Sequence, residues 1–150
     1  MTPGNYGDPA FDGLLEYLRP RVEDHSGLRL LPTYSYFRMY KRGDVLKRHR
    51  DRSACEISVT LNIGQQPLAP WPIYLQGEGE PCGAELKPGD ALLYRGIDLL
   101  HWRESYLGSQ HFQVFLHYVD RDGPHTDQKF DGRPSLMRLK TGASDSGNQA

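Results

Sequence analysis

The first regular hydrophobic pattern in the chain has the period of an α-helix. Four apolar residues recur at positions i, i+3, i+4 and i+7, the spacing of one helix face. These are Phe11, Leu14, Leu15 and Leu18. Asp8 and Pro9 before them are residue types that begin helices, and Gly27 is a typical C-terminal stop. The pattern predicts one helix between Asp8 and Gly27 that packs against a sheet.

From Leu28 onwards the pattern becomes that of β-strands. Residues 33–40 are rich in aromatic side chains and are predicted to be extended. Residues 55–62 alternate with a period of two. One face carries Cys55, Ile57, Val59 and Leu61, and the other carries Glu56, Ser58, Thr60 and Asn62. The alternation predicts that one face lies in an apolar core and that the other lines a polar space.

The second half of the chain contains further short strand patterns. They fall at residues 71–75, 91–94, 100–105 and 111–119, with loops predicted at 64–70 and 77–83. The last strand places Phe112, Val114, Leu116 and Tyr118 on one face and His111, Gln113, Phe115 and His117 on the other. Two histidines and a glutamine on one strand face are unusual for a core, because each buried polar group needs a partner. The interior of the sheet is therefore predicted to be polar.

One helix followed by about seven or eight short strands predicts a mainly β fold. The fold expected is a double-stranded β-helix, that is, a jelly-roll or cupin-like barrel, with the N-terminal helix packed on it. A length of 150 residues fits one domain. We assign residues 1–140 to that domain, expect residues 1–7 to be loose, and expect residues 141–150 to be a disordered tail because they are polar and small.

Composition excludes several classes of protein. Eighteen Lys and Arg against 19 Asp and Glu give a net charge of −1, so nucleic acid is not indicated as a partner. No long apolar run predicts a membrane segment. Two cysteines form no disulfide framework, which favours a reduced, cytoplasmic protein. Basic residues crowd between positions 41 and 52, where they form either a solvated face or a surface that attracts anions.

A candidate metal site begins with His49 and Asp51. Side chains two residues apart on a strand leave from the same face, with backbones roughly 7 Å apart, so both can bind one ion. His101, on a later strand, is the third ligand that we expect. Two imidazoles and one carboxylate on one face of an ion suit non-haem Fe(II) with open positions. A closed zinc site would need a fourth ligand, and Cys55 and Cys82 lack a matching spacing.

At these residues the sequence resembles the prolyl-hydroxylase-like branch of the 2-oxoglutarate and Fe(II)-dependent dioxygenases. The first half of the family pattern is matched by Tyr40, Gly43, Leu46, His49 and Asp51. The second half is matched by Gly89-Asp90, the strand 91–94, His101 and the strand 111–119. The resemblance covers roughly residues 33–120.

This resemblance implies a function and a set of ligands. It implies that His49, Asp51 and His101 bind Fe(II), that Tyr40 and Thr60 lie beside the co-substrate 2-oxoglutarate, and that O2 is consumed. The expected reaction is hydroxylation or demethylation of a small-molecule or peptide substrate, with release of succinate and CO2. The alternative is a jelly-roll module that binds a metal or senses a ligand without oxygenase turnover. Neither the prime substrate nor the oligomeric state follows from the sequence.

The residue that binds the distal carboxylate of 2-oxoglutarate is left open between two candidates. The family places an arginine or lysine at the start of the last strand, where this chain has His111. Arg103 is the second candidate because it lies two residues after His101 and thus on the same strand face. Gln113 could assist, and Arg38 is a distant third. Four aromatic residues either shape the substrate pocket or pack in the core: Tyr36, Trp71, Tyr94 and Trp102.

Overall fold

A computed structural model describes residues 4–67 and 69–137. Within them the chain forms one α-helix, two short 3-10 helices and nine strands. In chain order these are β1 (Asn5–Tyr6), α1 (Pro9–Ser26), β2 (Leu30–Lys41), β3 (Leu46–His49), a 3-10 helix (Ser53–Cys55), β4 (Ile57–Gln66), β5 (Ile73–Gln76), β6 (Cys82–Ala84), β7 (Ala91–Tyr94), β8 (Leu100–Arg103), β9 (Gln110–Asp120) and a second 3-10 helix (Thr126–Gly132). The predicted tail 141–150 lies outside the described residues.

The strands form two antiparallel sheets. A five-stranded sheet has the order β1-β2-β9-β4-β7, and a four-stranded sheet has the order β3-β8-β5-β6. Side chains from both sheets meet between them: Tyr94 of β7 contacts His101 of β8, with ring centroids 5.0 Å apart. The predicted jelly-roll fold with an N-terminal helix is confirmed. None of the helices in the described residues is long and apolar enough to cross a membrane.

The helix α1 begins and ends where the sequence predicts. The side chain of Asp8 accepts a hydrogen bond of 2.9 Å from the backbone N–H of Ala10. Gly27 adopts a left-handed conformation, with φ 74°, and its N–H donates to Glu23 O. Glycine takes this conformation without the steric cost of a Cβ atom. The apolar side of α1 packs on the outer face of the larger sheet, against residues such as Ile57, Val59, Val114, Leu116 and Tyr118.

The inner face of the larger sheet is polar, as predicted. Its buried side chains include Ser58, Thr60 and Asn62 of β4 and His111, Gln113, Phe115 and His117 of β9. One member of the predicted pattern was wrong. Cys55 does not share the outer face with Ile57, because β4 begins only at Ile57 and Cys55 lies in the preceding 3-10 helix. Its side chain joins an interior cluster with Tyr34 and Phe115.

Several element boundaries also differ from the predictions. The expected loose segment 1–7 contains β1, which pairs with β2 in the register Tyr6 to Tyr36. The expected loop 77–83 leads into β6, which pairs with β5, so the two strands form a hairpin. The strand predicted at 71–75 begins at Ile73. These short strands depend on pairing with a partner strand, which their own sequences do not reveal.

The segment after β9, residues 121–137, is tied to the body of the domain by buried charges. Arg133 donates from Nη1 to Asp12 of α1 at 2.8 Å, and both side chains are fully buried. Asp131 pairs with Arg52 at 2.8 Å and accepts a hydrogen bond of 2.5 Å from the Tyr6 hydroxyl. The sequence patterns predict no helix or strand in this segment. The ion pairs hold the segment across β1, α1 and the start of β2.

Candidate metal centre

His49 and His101 are brought together by the pairing of β3 with β8. They are register partners across these two antiparallel strands, and their ring centroids lie 4.3 Å apart. The sequence suggested that Asp51 lies on a strand. In the structure it lies just beyond the end of β3. Its backbone N–H donates to Gly96 O at 2.9 Å. The loop that follows β7 therefore fixes Asp51 next to the two histidines.

The three predicted metal ligands point at one another. Asp51 Oδ1 lies 3.1 Å from His49 Nε2 and 3.3 Å from His101 Nε2. One ligand atom from each residue lies within 4.8 Å of the other two. Three donor atoms this close can bind one ion on a single face. The donor set of two imidazoles and one carboxylate fits a divalent metal such as Fe(II).

Backbone carbonyls orient both imidazoles. His49 Nδ1 lies 2.6 Å from Lys47 O, and His101 Nδ1 lies 2.9 Å from Leu99 O. A carbonyl oxygen can only accept, so each Nδ1 carries the proton and each neutral ring has a lone pair on Nε2. A neutral imidazole with its other nitrogen held in this way is the usual form of a metal-binding histidine.

The charges at this centre favour an ionised carboxylate. Burial opposes ionisation of Asp51, but the neighbouring His101 and His49 imidazoles outweigh it and hold the pKa of the Asp51 carboxyl well below its usual range. Burial lowers the pKa of His49, but the hydrogen bond that its protonated ring can donate to Asp51, the Lys47 carbonyl and the Asp51 charge together raise it more, so the net shift is upward. A permanent negative charge beside two imidazoles attracts a cation.

Arg103 forms a second polar feature on the same face of β8, two residues after His101. Its side chain is 2 % exposed. Nη1 donates to Trp71 O at 2.6 Å, and the guanidinium carbon lies 4.7 Å from the centre of the Trp71 ring. Across residues 4–67 and 69–137, Nε and Nη2 of Arg103 have no hydrogen-bond acceptor. Burial lowers the pKa of Arg103 to about 10, opposed by Tyr40 and Tyr94.

A buried guanidinium with two unused donors is costly unless an anion pairs with it. A carboxylate is the group that its planar fork matches best. The Arg103 side chain is therefore suited to bind a carboxylate inside the barrel.

His111, the other candidate for that role, lies in a hydrogen-bond chain with Gln113 and Thr60. His111 Nε2 lies 2.6 Å from Gln113 Oε1, and Gln113 Nε2 donates to Thr60 Oγ1 at 2.5 Å. Because Gln113 Oε1 can only accept, Nε2 carries the proton and Nδ1 presents a lone pair. Burial lowers the pKa of His111 to about 4, although the Gln113 hydrogen bond raises it and Arg103 lowers it further. The ring is neutral near pH 7, and its Nδ1 repels a carboxylate.

The aromatic candidates divide into two groups. Tyr40 is fully buried and contacts Trp71, with ring centroids 4.9 Å apart. Tyr94 is also buried, and its hydroxyl has no hydrogen-bond partner in the described part of the chain. The Tyr94 ring contacts His101, and the Trp71 ring contacts both Tyr40 and the Arg103 guanidinium. Trp102 lies on the opposite face of β8, where it stacks on Tyr74 with centroids 5.7 Å apart.

The remaining predicted residues lie further along the inner face. Tyr36 accepts a hydrogen bond of 3.2 Å from Arg38 Nη2, and the Arg38 guanidinium lies 6.0 Å from the centre of the Tyr40 ring. Sequence reasoning missed Cys55, which lies beside Asp51 and His117. It was missed because the alternation of residues 55–62 assigned Cys55 to the outer face. The sequence carries no signal for the Lys47 and Leu99 carbonyls, since any residue supplies a backbone oxygen.

Comparisons with known proteins place the fold but give no close relative. No protein-family model matches the sequence, and no curated protein matches it. Among solved structures, AviO1 from Streptomyces viridochromogenes Tue57 matches with a TM-score of 0.63 and 14% identity, over 83% of this chain and 69% of that one. A Pseudomonas putida prolyl-4-hydroxylase matches with a TM-score of 0.60 and 17% identity, over 79% of this chain and 71% of that one.

A third match is an oxidoreductase of the 2OG-Fe(II) oxygenase family from Burkholderia pseudomallei. It has a TM-score of 0.59 and 14% identity, over 76% of this chain and 58% of that one. The predicted resemblance to this family is confirmed at the level of the fold. Fold alone does not define a reaction, so the function has to be argued from the site.

Proposed function

We propose that this protein is a 2-oxoglutarate-dependent oxygenase that uses Fe(II). In this proposal His49, Asp51 and His101 bind the iron, and Arg103 binds the distal carboxylate of 2-oxoglutarate. The observation that carries the proposal is the position of a buried, under-used guanidinium on the same strand face as a ligand of the candidate metal centre. Residues two apart on a strand are separated by roughly 7 Å, a span that a short dicarboxylate can bridge.

The charges of the site fit this pair of ligands. Asp51 supplies one negative charge to a dication, and Arg103 supplies one positive charge to the far end of a dianion. When bound, Fe(II) supplies the electrons that activate O2, and the protein supplies orientation and a closed environment. His49, Asp51 and His101 would hold the ion, and the co-substrate and O2 would complete its ligands.

The polar residues beside Arg103 have supporting roles in this proposal. In this proposal the hydroxyl of the buried Tyr40 helps to bind the same carboxylate. Thr60 and Gln113 orient His111, and burial keeps its ring neutral, so that His111 lines the co-substrate space without pairing with the anion. This assignment prefers Arg103 over His111 as the carboxylate ligand, because a guanidinium keeps its charge and donates in a fork.

The entry side for the prime substrate is proposed to be the His49 side of the centre. The His49 side chain is 26% exposed, whereas the side chains of Asp51 and His101 are 1% and 0% exposed. On the inner side, the buried rings of Tyr94 and Trp71 lie against His101 and Arg103. A small molecule or a peptide side chain would therefore approach past His49 and place a C–H bond near the open positions of the metal.

An anaerobic titration tests the proposal directly. The apoprotein would be given Fe(II) and then 2-oxoglutarate, and the weak visible charge-transfer band of the Fe(II) and keto-acid pair would be followed. We expect the band in the unaltered protein and slow formation of succinate once O2 is admitted. The matched control is His25→Ala, which removes an exposed histidine on α1. Metal binding with neither the band nor succinate would refute the oxygenase and leave the alternative of a metal-binding module.

A further inference from the structure

A second set of metal-ligating atoms lies on the inner side of Asp51. A carboxylate oxygen of Asp51, the sulfur of Cys55 and a ring nitrogen of His117 lie within 4.8 Å of one another. Cys55 and His117 are fully buried, and the Asp51 side chain is 1% exposed. This set, which we call the inner cluster, uses sulfur, nitrogen and oxygen. The set around His49 and His101 has no sulfur.

Hydrogen bonds define the protonation of His117. The Ser58 hydroxyl donates its only hydrogen to Cys55 O at 2.9 Å. Ser58 Oγ also lies 2.8 Å from His117 Nδ1, so in this contact the oxygen accepts and Nδ1 carries the proton. His117 Nε2 is therefore a bare lone pair in a fully buried ring. It has no hydrogen-bond donor anywhere in residues 4–67 and 69–137.

The second carboxylate oxygen of Asp51 is in the same situation. Oδ1 faces the two histidines of the candidate metal centre, while Oδ2 is buried and accepts no hydrogen bond from the described residues. Two buried acceptors without a donor cost free energy, since each has lost its water. A cation among them would satisfy both at once.

Two neighbours of Cys55 would stabilise its thiolate once a metal ion is bound. Tyr34 Oη lies 3.2 Å from Cys55 Sγ, where the phenol can donate to a thiolate. The Arg52 guanidinium lies 4.7 Å from the centre of the Tyr34 ring and adds positive charge nearby. Burial, together with the Asp51 charge, raises the pKa of the Cys55 thiol, so the sulfur keeps its proton until a cation replaces it.

We propose that the inner cluster binds a borderline-soft divalent cation of the Zn²⁺ class through Cys55 Sγ, His117 Nε2 and Asp51 Oδ2. Thiolate, imidazole and carboxylate are the ligands that zinc combines in proteins. Asp51 would then serve two cations, with Oδ1 toward His49 and His101 and Oδ2 toward Cys55 and His117. The inner site does not depend on the proposed oxygenase function. Its sulfur ligand also gives it a spectroscopic signature that separates it from the outer centre.

Cobalt(II) is the probe that separates the two sites. A thiolate bound to Co²⁺ gives an intense charge-transfer band in the near ultraviolet, and a site of only nitrogen and oxygen ligands gives none. The titration would use reduced, metal-free protein carrying Cys82→Ser, which removes the exposed cysteine. We expect the band to rise to saturation in this protein and to decline when Zn²⁺ is added. Absence of the band in this protein overturns the proposal.

Two variants in the same background identify the ligands. Cys55→Ala should abolish the band, and His117→Gln should weaken cobalt binding at least about tenfold as judged by the band. Circular dichroism would confirm that each variant is folded, and the His117→Gln result stands by itself if Cys55→Ala does not fold. A band that persists in folded Cys55→Ala, or unchanged cobalt affinity in folded His117→Gln, overturns the assignment.

A third variant separates this proposal from the proposed oxygenase. His49→Ala removes a ligand of the outer centre and leaves all three inner ligands in place. We expect it to lose the Fe(II) and 2-oxoglutarate band but to keep the thiolate band with Co²⁺. Loss of the thiolate band in folded His49→Ala would show that no independent inner site exists, whatever the outcome of the oxygenase test.

Discussion

His49 and His101 are held by the same device on two facing strands. They are register partners, and in each case the ring Nδ1 bonds to the backbone carbonyl of the residue two positions earlier. Both rings consequently turn Nε2 toward Asp51. Because the acceptors are backbone atoms, the pairing of β3 with β8 helps to set the orientation of both rings. The pairing of β3 with β8 therefore sets the positions of both histidines of the candidate metal centre.

Replacing His49 tests the candidate centre with little risk to the fold. His49→Ala removes one ligand atom, so we expect affinity for Fe(II) to fall at least about 100-fold. The side chain is partly exposed, and the free energy of unfolding of the metal-free protein should change by less than about 1 kcal/mol. Isothermal titration calorimetry with Fe(II) under nitrogen, beside urea unfolding, measures both quantities. Unchanged Fe(II) affinity would remove His49 from the site.

The two candidates for the carboxylate ligand predict different effects on 2-oxoglutarate. Arg103→Gln deletes a charged hydrogen-bond pair worth about 1.5–3 kcal/mol, so the Kd for 2-oxoglutarate should rise roughly 10- to 100-fold. His111→Gln keeps a polar side chain beside Gln113 and should leave the Kd nearly unchanged. The Kd would be read from the visible band at saturating Fe(II). The opposite pattern would assign the carboxylate to His111.

The sequence alone predicted most of what positions the site. Helical and two-residue periodicity are local properties, so α1 and the inner faces of β4 and β9 follow from them directly. The closeness of His49, Asp51 and His101 was expected from the spacing of His49 and Asp51, from His101 on a later strand, and from the family resemblance. Whether Arg103 or His111 keeps a charge inside the barrel was left open, because that depends on their contacts with Trp71 and Gln113.

Features that depend on distant pairing were not predicted. Arg133 and Asp12 are 121 residues apart in the chain, and neither pattern nor composition marks them as partners. β1 and β6 are only two and three residues long, and they are strands because they pair with β2 and β5. Cys55 was assigned to the wrong face because periodicity does not register where a strand begins. Local patterns determine faces, while long-range contacts determine boundaries and buried charge pairs.

Gly96 is predicted to be essential for the position of Asp51. A Cβ atom at Gly96 would lie 2.5 Å from Asp51 Oδ2 and 2.3 Å from Cys55 O. Gly96→Ala should therefore displace the Asp51 loop, lower the free energy of unfolding by about 1–3 kcal/mol and weaken Fe(II) binding. Urea unfolding and Fe(II) calorimetry would measure these two effects.

The matched control is Gly13→Ala in α1. Its Cβ would meet nothing nearer than Met137 Cε at 3.7 Å, which is ordinary contact. Alanine in a helix is more stable than glycine by about 0.5–1 kcal/mol, so this variant should unfold at a higher urea concentration and bind Fe(II) normally. If Gly96→Ala is as stable as Gly13→Ala and binds Fe(II) equally well, the close approach of Gly96 to Asp51 does not position the Asp51 loop.

Two buried histidines predict that the metal-free protein loses stability in mild acid. Burial lowers the pKa of His111 and of His117 to about 4, from an ordinary value of 6.5. Between these values the unfolded chain binds more protons than the folded one. Each neutral ring therefore contributes stability that is present above pH 6.5 and is lost as the pH falls toward 4. The loss is on the order of 1.4 kcal/mol per pH unit for each histidine.

Urea unfolding at pH 6 and pH 4.5, with a chelator present, would measure this slope, and His111→Gln should reduce it by about half. Neighbouring groups act outside the window. The pKa of Asp51 is lowered, so its contribution is lost below its unfolded value of 3.8. The pKa of His49 is raised from 6.5, so its contribution is lost only as the pH rises above that value. An equal slope in the wild type and His111→Gln would contradict a neutral, buried His111.

The ion pair of Arg133 with Asp12 is predicted to fasten the segment 121–137 to the domain. Asp12 also accepts hydrogen bonds from Ser35 Oγ at 2.7 Å and from the Met137 N–H at 2.8 Å. Arg133→Met would leave a buried carboxylate without its cation, which costs about 3–5 kcal/mol. The exposed pair of Arg19 with Glu16 is the matched control, and Arg19→Met should cost less than about 1 kcal/mol. Urea unfolding of both variants decides the matter: equal, small losses would show that the segment does not depend on this ion pair, whereas a large loss in Arg133→Met alone would show that the buried charges hold it in place.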